Sequence, residues 1–297
     1  MPRGEEWTVS REAYRGESMG ALNGQVALVT GGGHGIGRSV SEELAREGAH
    51  VVVAGRRVSA LEETVAAIRE SGGSAEAALM DVSLEERVER VVVDTVGRHG
   101  AIDLLVNNAG RLMGFGPVWE ADPAEWWRDV TVNLFGTFLC CRAVLRRMVE
   151  RRKGRIIVFG GGGSTGPLPY RSGYGASKAA LVEFVETMQA EAGPYGVQVF
   201  AIGPGLVRTE ITETHVTIPY VSKVLPEFER YFAEGRDVPP TFAARLCAFL
   251  ASTPEADRLA GRFLSATEDY REIARRADEV VERNLYAVRR RAIHQAP

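Results

Sequence analysis

Residues 25–37 read Gln-Val-Ala-Leu-Val-Thr-Gly-Gly-Gly-His-Gly-Ile-Gly, an apolar run that stops in a cluster of glycines. Six residues of strand type meet Gly31, Gly32, Gly33, His34, Gly35, Ile36 and Gly37, and an amphipathic helix pattern follows over 38–47. Strand, glycine-rich turn and helix is the order that a dinucleotide pyrophosphate requires. The glycines let backbone N–H groups approach phosphate oxygens, and the helix N-terminus adds positive potential. A glycine-rich turn can also merely close a strand, so both flanking elements matter to the inference.

Working outward, the same alternation continues. Strand patterns over 50–54, 74–79, 102–106, 155–159 and 197–202 are separated by helix patterns over 61–71 and 84–99 and by two longer ones. One of these starts at Asp122-Pro123-Ala124-Glu125, an acid to cap the helix, proline at its first position and glutamate at its third. It runs through Trp126, Trp127 and Asn133 to about Arg147, with a break along it left open. The other holds Tyr174. Strands alternating with helices predict an α/β fold with a parallel sheet covered on both faces. One domain over 23–266 is expected, with a last strand near 259–263. Residues 1–22 show no period and read as a flexible extension, with Met19 a possible alternative start. Over 269–291, Ile273, Ala277, Val280, Val281, Leu285 and Val288 recur at helical spacing, which predicts an amphipathic helix in a C-terminal extension (267–297).

Composition narrows the class. The chain has 297 residues, 45% hydrophobic and 25% charged, with net charge −3, so no basic excess points to nucleic acid. Cys140, Cys141 and Cys247 form no C-x-x-C pair and read as buried thiols in a reducing compartment. No apolar run reaches the roughly 18 residues of a membrane span. The polar start, with Arg3, Glu5 and Glu6, is unlike a secretory signal. A cytoplasmic protein is expected, and no metal is assigned.

Two further stretches carry chemistry. The strand over 50–54 leads into Gly55-Arg56-Arg57, where an acid would favour NAD by binding ribose hydroxyls. Arg56 and Arg57 suit a 2′-phosphate instead, so NADP(H) is favoured over NAD(H). Tyr174 and Lys178 stand one helical turn apart, so phenol and ammonium emerge on one face. A nearby cation favours the phenolate, which predicts a lowered tyrosine pKa and a group able to exchange protons with an alcohol or carbonyl.

Five motifs in order then resemble the classical short-chain dehydrogenase/reductase family. They are Thr30-Gly31-x-x-x-Gly35-Ile36-Gly37, Asn107-Asn108-Ala109-Gly110, Asn133 within Val132-Asn133-Leu134, Tyr174-x-x-x-Lys178, and Pro204-Gly205-x-Val207-x-Thr209. The resemblance covers roughly residues 22–266 and implies a Rossmann-type doubly wound sheet carrying a nicotinamide cofactor. It implies Tyr174 as general acid/base, Lys178 holding the nicotinamide ribose, and Asn133 anchoring a proton-relaying water. Asp81 and Val82 would flank the adenine, Asn108, Ala109 and Gly110 would line the cofactor, and Pro204, Gly205, Val207 and Thr209 would hold the carboxamide. It also implies a substrate lid over about 210–238, a small alcohol or ketone substrate, and a homodimer or homotetramer.

One family residue is missing. The serine expected thirteen positions before the tyrosine is Gly161 here, within a run of four glycines followed by Ser164 and Thr165. Ser164 is the expected substitute, and amide groups of the glycine run are the alternative. An oxidoreductase is the primary expectation. The rival is a dinucleotide-sensing binding protein of the same fold that has lost turnover.

Overall fold

The structure, a computed structural model, describes residues 20–216, 218–225 and 227–289. Strand β1 (Val26–Thr30) is buried at every position, as a central strand covered on both faces must be. It feeds α1 (Gly35–Arg46), whose partner is β2 (His50–Gly55), parallel to β1 in the register Val29↔Val53. Then come α2 (Val58–Glu70), β3 (Ser74–Leu79), α3 (Glu85–His99) and β4 (Leu104–Asn107), which pairs with the other side of β1. Strands β5 (Gly154–Phe159), β6 (Val197–Gly203) and β7 (Phe263–Ser265) extend that side, giving one parallel seven-stranded sheet in the order β3-β2-β1-β4-β5-β6-β7. This is the Rossmann-type fold expected from the motifs, in a single domain. Strand order reverses between β1 and β4, so a crevice opens beyond their carboxyl ends.

Between β4 and β5 the chain forms α4 (Pro123–Val130) and α5 (Gly136–Arg151), and α6 (Ser172–Ala192) follows β5. Asp122 caps α4 as its sequence predicts, accepting from the amides of Ala124 and Glu125 at 2.7 and 3.1 Å. The helix does not continue unbroken, because Thr131–Phe135 is a π-helical turn that sets off α4 from α5. Helices α3, α5 and α6 bury one sheet face around Leu105, Ile156 and Val199. On the other face α1, α2 and α10 (Thr241–Ser252) enclose Val29, Val53 and Phe200. The three cysteines are buried free thiols.

Both ends of the fold differ from expectation. Of the extension read over 1–22, residues 1–19 lie outside those described. Leu22, in contrast, is 1% exposed and its amide bonds to the Glu47 carbonyl at 2.8 Å, so the fold begins before residue 22. The C-terminal helix expected over 269–291 is two short helices, α11 (Tyr270–Arg275) and α12 (Ala277–Glu282), joined at Arg276. Tyr270, Ala274, Ala277 and Val280 bury themselves against the α1–α10 layer, and the Phe263 amide bonds to the Tyr286 carbonyl at 2.9 Å. The periodic stripe packs on its own subunit, while Val281 and Val288 stay exposed.

Residues 210–238 contain three short helices, α7 (Glu210–Val216), α8 (Pro219–Val224) and α9 (Glu227–Ala233). Val221 and Leu225 are buried and pin the segment down, whereas Ile211 and Tyr231 face the crevice.

Candidate active site

The crevice is a cleft of about 910 Å³, lined at one end by the glycine turn and at the other by Tyr174 and Lys178. Every residue expected to touch the cofactor lies along it, from Gly31 through Asp81 and Asn108 to Pro204 and Thr209. The turn can only be built from glycine. Gly31 and Gly35 have φ of +65° and +53°, and a Cβ on Gly37 would lie 2.1 Å from the Gly31 carbonyl oxygen. Asn108 locks this turn to β4: its Nδ2 donates to the Thr30 and Gly31 carbonyls at 3.0 and 3.1 Å. Thr30 Oγ1 answers by accepting from the Asn108 and Ala109 amides. The cradle therefore fits a pyrophosphate laid on the start of α1.

Beyond the end of β2, Arg56 is exposed and Arg57 is clasped by Glu210, which opens α7. The two form a forked ion pair at 2.8 and 2.6 Å, and His34 Nε2 stands 3.3 Å from the same carboxylate. Asp81 accepts from the Ser83 amide and hydroxyl at 2.9 and 2.6 Å, which fixes its carboxylate at the cleft wall.

At the opposite end the four expected catalytic side chains separate. Tyr174 and Lys178 line the cleft; Asn133 and Ser164 do not. Lys178 is 4% exposed, donates to the Phe159 carbonyl at 2.7 Å and sits 5.6 Å from the centre of the Tyr174 ring. Burial draws its pKa down to about 8. Asn133 sits in the π turn, fully buried, and works from behind the wall. It accepts from the Arg111 amide at 2.7 Å and donates to the Arg111 carbonyl and Ser177 Oγ at 2.8 and 3.1 Å.

The expected lowering of the Tyr174 pKa by Lys178 is not found. Burial pushes the phenol up to about 12, Arg171 opposes the rise and Asp129 adds to it. Desolvation of the phenolate outweighs the neighbouring charge, and the Lys178 ammonium is turned to a carbonyl instead. Ser164 is also corrected. Its hydroxyl is buried, accepts from the Gly161 amide at 3.0 Å and donates to the Lys178 carbonyl at 3.4 Å, so it closes the glycine run and does not face the cleft. The same contact occupies one of the amides named as its alternative. Gly161 has φ of +154°, and a Cβ there would lie 2.6 Å from Tyr174 Oη, so the phenol fills the space the absent side chain would need.

The family model for short chain dehydrogenases matches residues 25–217. The chain belongs to this family. A short chain dehydrogenase of Pseudocercospora fijiensis is 32% identical over 277 residues, covering 91% of this chain and 88% of that protein. The 3-oxoacyl-[acyl-carrier-protein] reductase of Synechocystis is 33% identical over 82% of this chain and 96% of its own. Among solved structures, a variant of the actinorhodin polyketide ketoreductase with NADPH superposes with a TM-score of 0.75 at 33% identity, covering 81% and 95% of the two chains. The protein is a dehydrogenase/reductase, and a nicotinamide dinucleotide is the cofactor its family uses.

Three residues of this short-chain dehydrogenase went unread in its sequence. Arg171 stands one helical turn before Tyr174, lines the cleft and is only 9% exposed. Its spacing from Tyr174 was a usable signal. Asp129 is fully buried, accepts from the Met113 and Gly114 amides and holds Arg111, which also reaches Glu125. Glu210 lies 153 positions from Arg57, and no local pattern joins them.

Proposed function

We propose that the enzyme is an NADP(H)-dependent oxidoreductase that interconverts a ketone and a secondary alcohol, with Tyr174 as the proton-transferring residue. The observation that carries this is the convergence of Tyr174, Lys178 and Arg171 on one end of a cleft whose other end is a phosphate cradle. When bound, the nicotinamide supplies or accepts the hydride. Lys178, held by the Phe159 carbonyl, orients the cofactor's ribose and carries positive charge below pH 8. Tyr174 Oη gives a proton to the oxygen of the ketone as reduction proceeds, or receives one from the alcohol in the reverse direction. In place of the family serine, Arg171 stabilises negative charge on both the phenol and the substrate oxygen. Asn133 holds the Arg111 loop and Ser177, thereby fixing the wall on which Tyr174 is mounted. Following NADPH absorbance against a panel of ketones tests this directly. Cofactor binding without oxidation of any of them would favour the binding-protein alternative, for which nothing but the Gly161 substitution speaks.

Arg56 and Arg57 support the choice of NADP(H). Each charged contact to a 2′-phosphate is worth about 1.5–3 kcal/mol, so Arg56→Ala with Arg57→Ala should weaken NADPH binding by tenfold or more per residue and leave NADH nearly unaffected. Glu210 competes with that phosphate for Arg57, so Glu210→Gln should tighten NADPH. Titration of both cofactors by fluorescence decides the matter, and equal wild-type affinities would overturn the assignment.

The apolar face formed by Trp127, Val130, Leu134, Phe135, Phe138 and Phe184 fits a second copy of the chain. Trp127, Phe135 and Phe138 are 63%, 47% and 40% exposed, a cost that association would remove. Phe138→Asp should shift the sedimentation of the protein from oligomer toward monomer. An unchanged profile would place the interface elsewhere.

A further inference from the structure

At the end of the sheet opposite the cleft, His50 opens β2, Glu76 lies on β3 and His99 closes α3. The three are far apart in the chain, so no ligand spacing appears in the sequence, but the topology gathers them. In the β2–β3 ladder His50 pairs with Ser74, and Glu76 is two residues further along β3, on the same face as Ser74. Helix α3 brings its last residue over that face, and the His50 and His99 rings stand 4.2 Å apart at 34°. One nitrogen or oxygen from each of the three side chains lies within 4.8 Å of the other two.

We propose that His50, Glu76 and His99 bind a divalent transition-metal ion, zinc by preference, with water completing the shell. The donor set of two imidazoles and one carboxylate is that of open zinc sites. With metal–ligand bonds of about 2.0–2.2 Å, a tetrahedral shell keeps its ligand atoms about 3.3 Å apart. His99 Nε2 and Glu76 Oε1 are already 3.2 Å apart. His50 Nδ1 is 2.7 Å from Ser74 Oγ; with that nitrogen donating, Nε2 is left with a bare lone pair. That Nε2 is buried and has no hydrogen-bond partner, which is the state of a ligand atom waiting for an ion. The Ser74 contact is the kind of outer hydrogen bond that fixes tautomer and ring orientation in metal-binding histidines.

The charges around the site set its limits. Arg98 reaches Glu76 Oε1 at 2.9 Å, and Arg69 is bound to the Ala75 carbonyl at 3.2 and 2.8 Å. Arg98 is 54% exposed, so its guanidinium can swing into solvent when an ion takes the carboxylate. Burial, the neighbouring His99 and, after them, Arg69 and Arg98 lower the His50 pKa, and Glu76 opposes them. A zinc ion here would tie β2, β3 and α3 together far from Tyr174.

The test uses the full chain, stripped with chelator and titrated with zinc chloride by calorimetry, with magnesium as a control. One equivalent of zinc should bind and raise the melting temperature, while magnesium should do neither. His50→Gln and His99→Gln should each weaken zinc binding by more than 100-fold. Ser74→Ala should weaken it by about 10–100-fold, as expected for a residue acting through a ligand. NADPH oxidation by the zinc-free variants should match that of the zinc-free wild type. Cobalt bound to the wild type should show the intense visible absorption of a four-coordinate site, a readout that does not depend on the variants folding. Failure to bind zinc, wild-type affinity in His50→Gln, or a weak six-coordinate cobalt spectrum would each overturn the proposal.

Discussion

Tyr174→Phe should lower kcat by about 10²–10⁴-fold, the range that positioned proton transfer contributes, while NADPH binding stays almost unchanged. The substitution removes one oxygen and keeps the ring that packs beside Gly161 and above Lys178. The pKa directions add a dependence on pH. The phenol, pushed up to about 12, keeps its proton across the physiological range, so it is a donor ready for ketone reduction. Alcohol oxidation needs the phenolate and should accelerate steadily with pH. Lys178, drawn down to about 8, loses its charge above that pH in the free enzyme. For NADPH, kcat/KM should therefore hold level below pH 8 and decline above it, because less of the free enzyme then carries the ammonium that meets the cofactor. Stopped-flow measurement of NADPH oxidation with ketone, and of NADP+ reduction with alcohol, checks these outcomes. Comparable turnover in Tyr174→Phe would end the proposed mechanism.

The parts of this molecule that could be read in its sequence are those that local geometry dictates. The glycine turn after β1 is legible because Gly31, Gly35 and Gly37 are each required by a backbone angle or a close approach within six residues of one another. The parallel sheet follows from apolar runs buried on both faces, and the Asp122 cap from a three-residue signature. What escaped depended on distance in the chain or on stiffness. The Arg57–Glu210 clasp joins the start of α2 to the start of α7, and the His50–Glu76–His99 cluster joins two strands and a helix. Ser164 follows four glycines, whose freedom gives spacing no power to aim a hydroxyl. Its turn inward is settled by the Gly161 amide and the Lys178 carbonyl. The direction of the Tyr174 pKa was missed for another reason: sequence reveals which charges are close along a helix, whereas the dominant effect is burial by the whole cleft wall. The break at Arg276 has the same character, since helical periodicity across 269–291 persists through a residue whose backbone leaves the helix.

Arg171→Ala should lower kcat/KM for ketone reduction by about 10²–10³-fold, the loss that follows removal of one preorganised donor from developing negative charge. Three facts lead to this. Ser164 is turned away from the cleft, and Gly161 offers neither a side chain nor a free amide, since Ser164 Oγ accepts from it. Arg171 lines the same end of the cleft and is the charge that opposes the rise in the Tyr174 pKa. Arg171→Lys separates charge from geometry. If charge alone matters, it should recover most of the rate; if the planar fork is needed, it should recover little. In either case NADPH affinity should not move, because Arg171 stands at the substrate end. Gly161→Ser, which would install the family's usual donor, should lower activity here, because its Cβ would press on Tyr174 Oη at 2.6 Å from a backbone angle that favours glycine. A gain of activity in Gly161→Ser, together with full activity in Arg171→Ala, would show that the cleft retains room for the serine and that Arg171 takes no part.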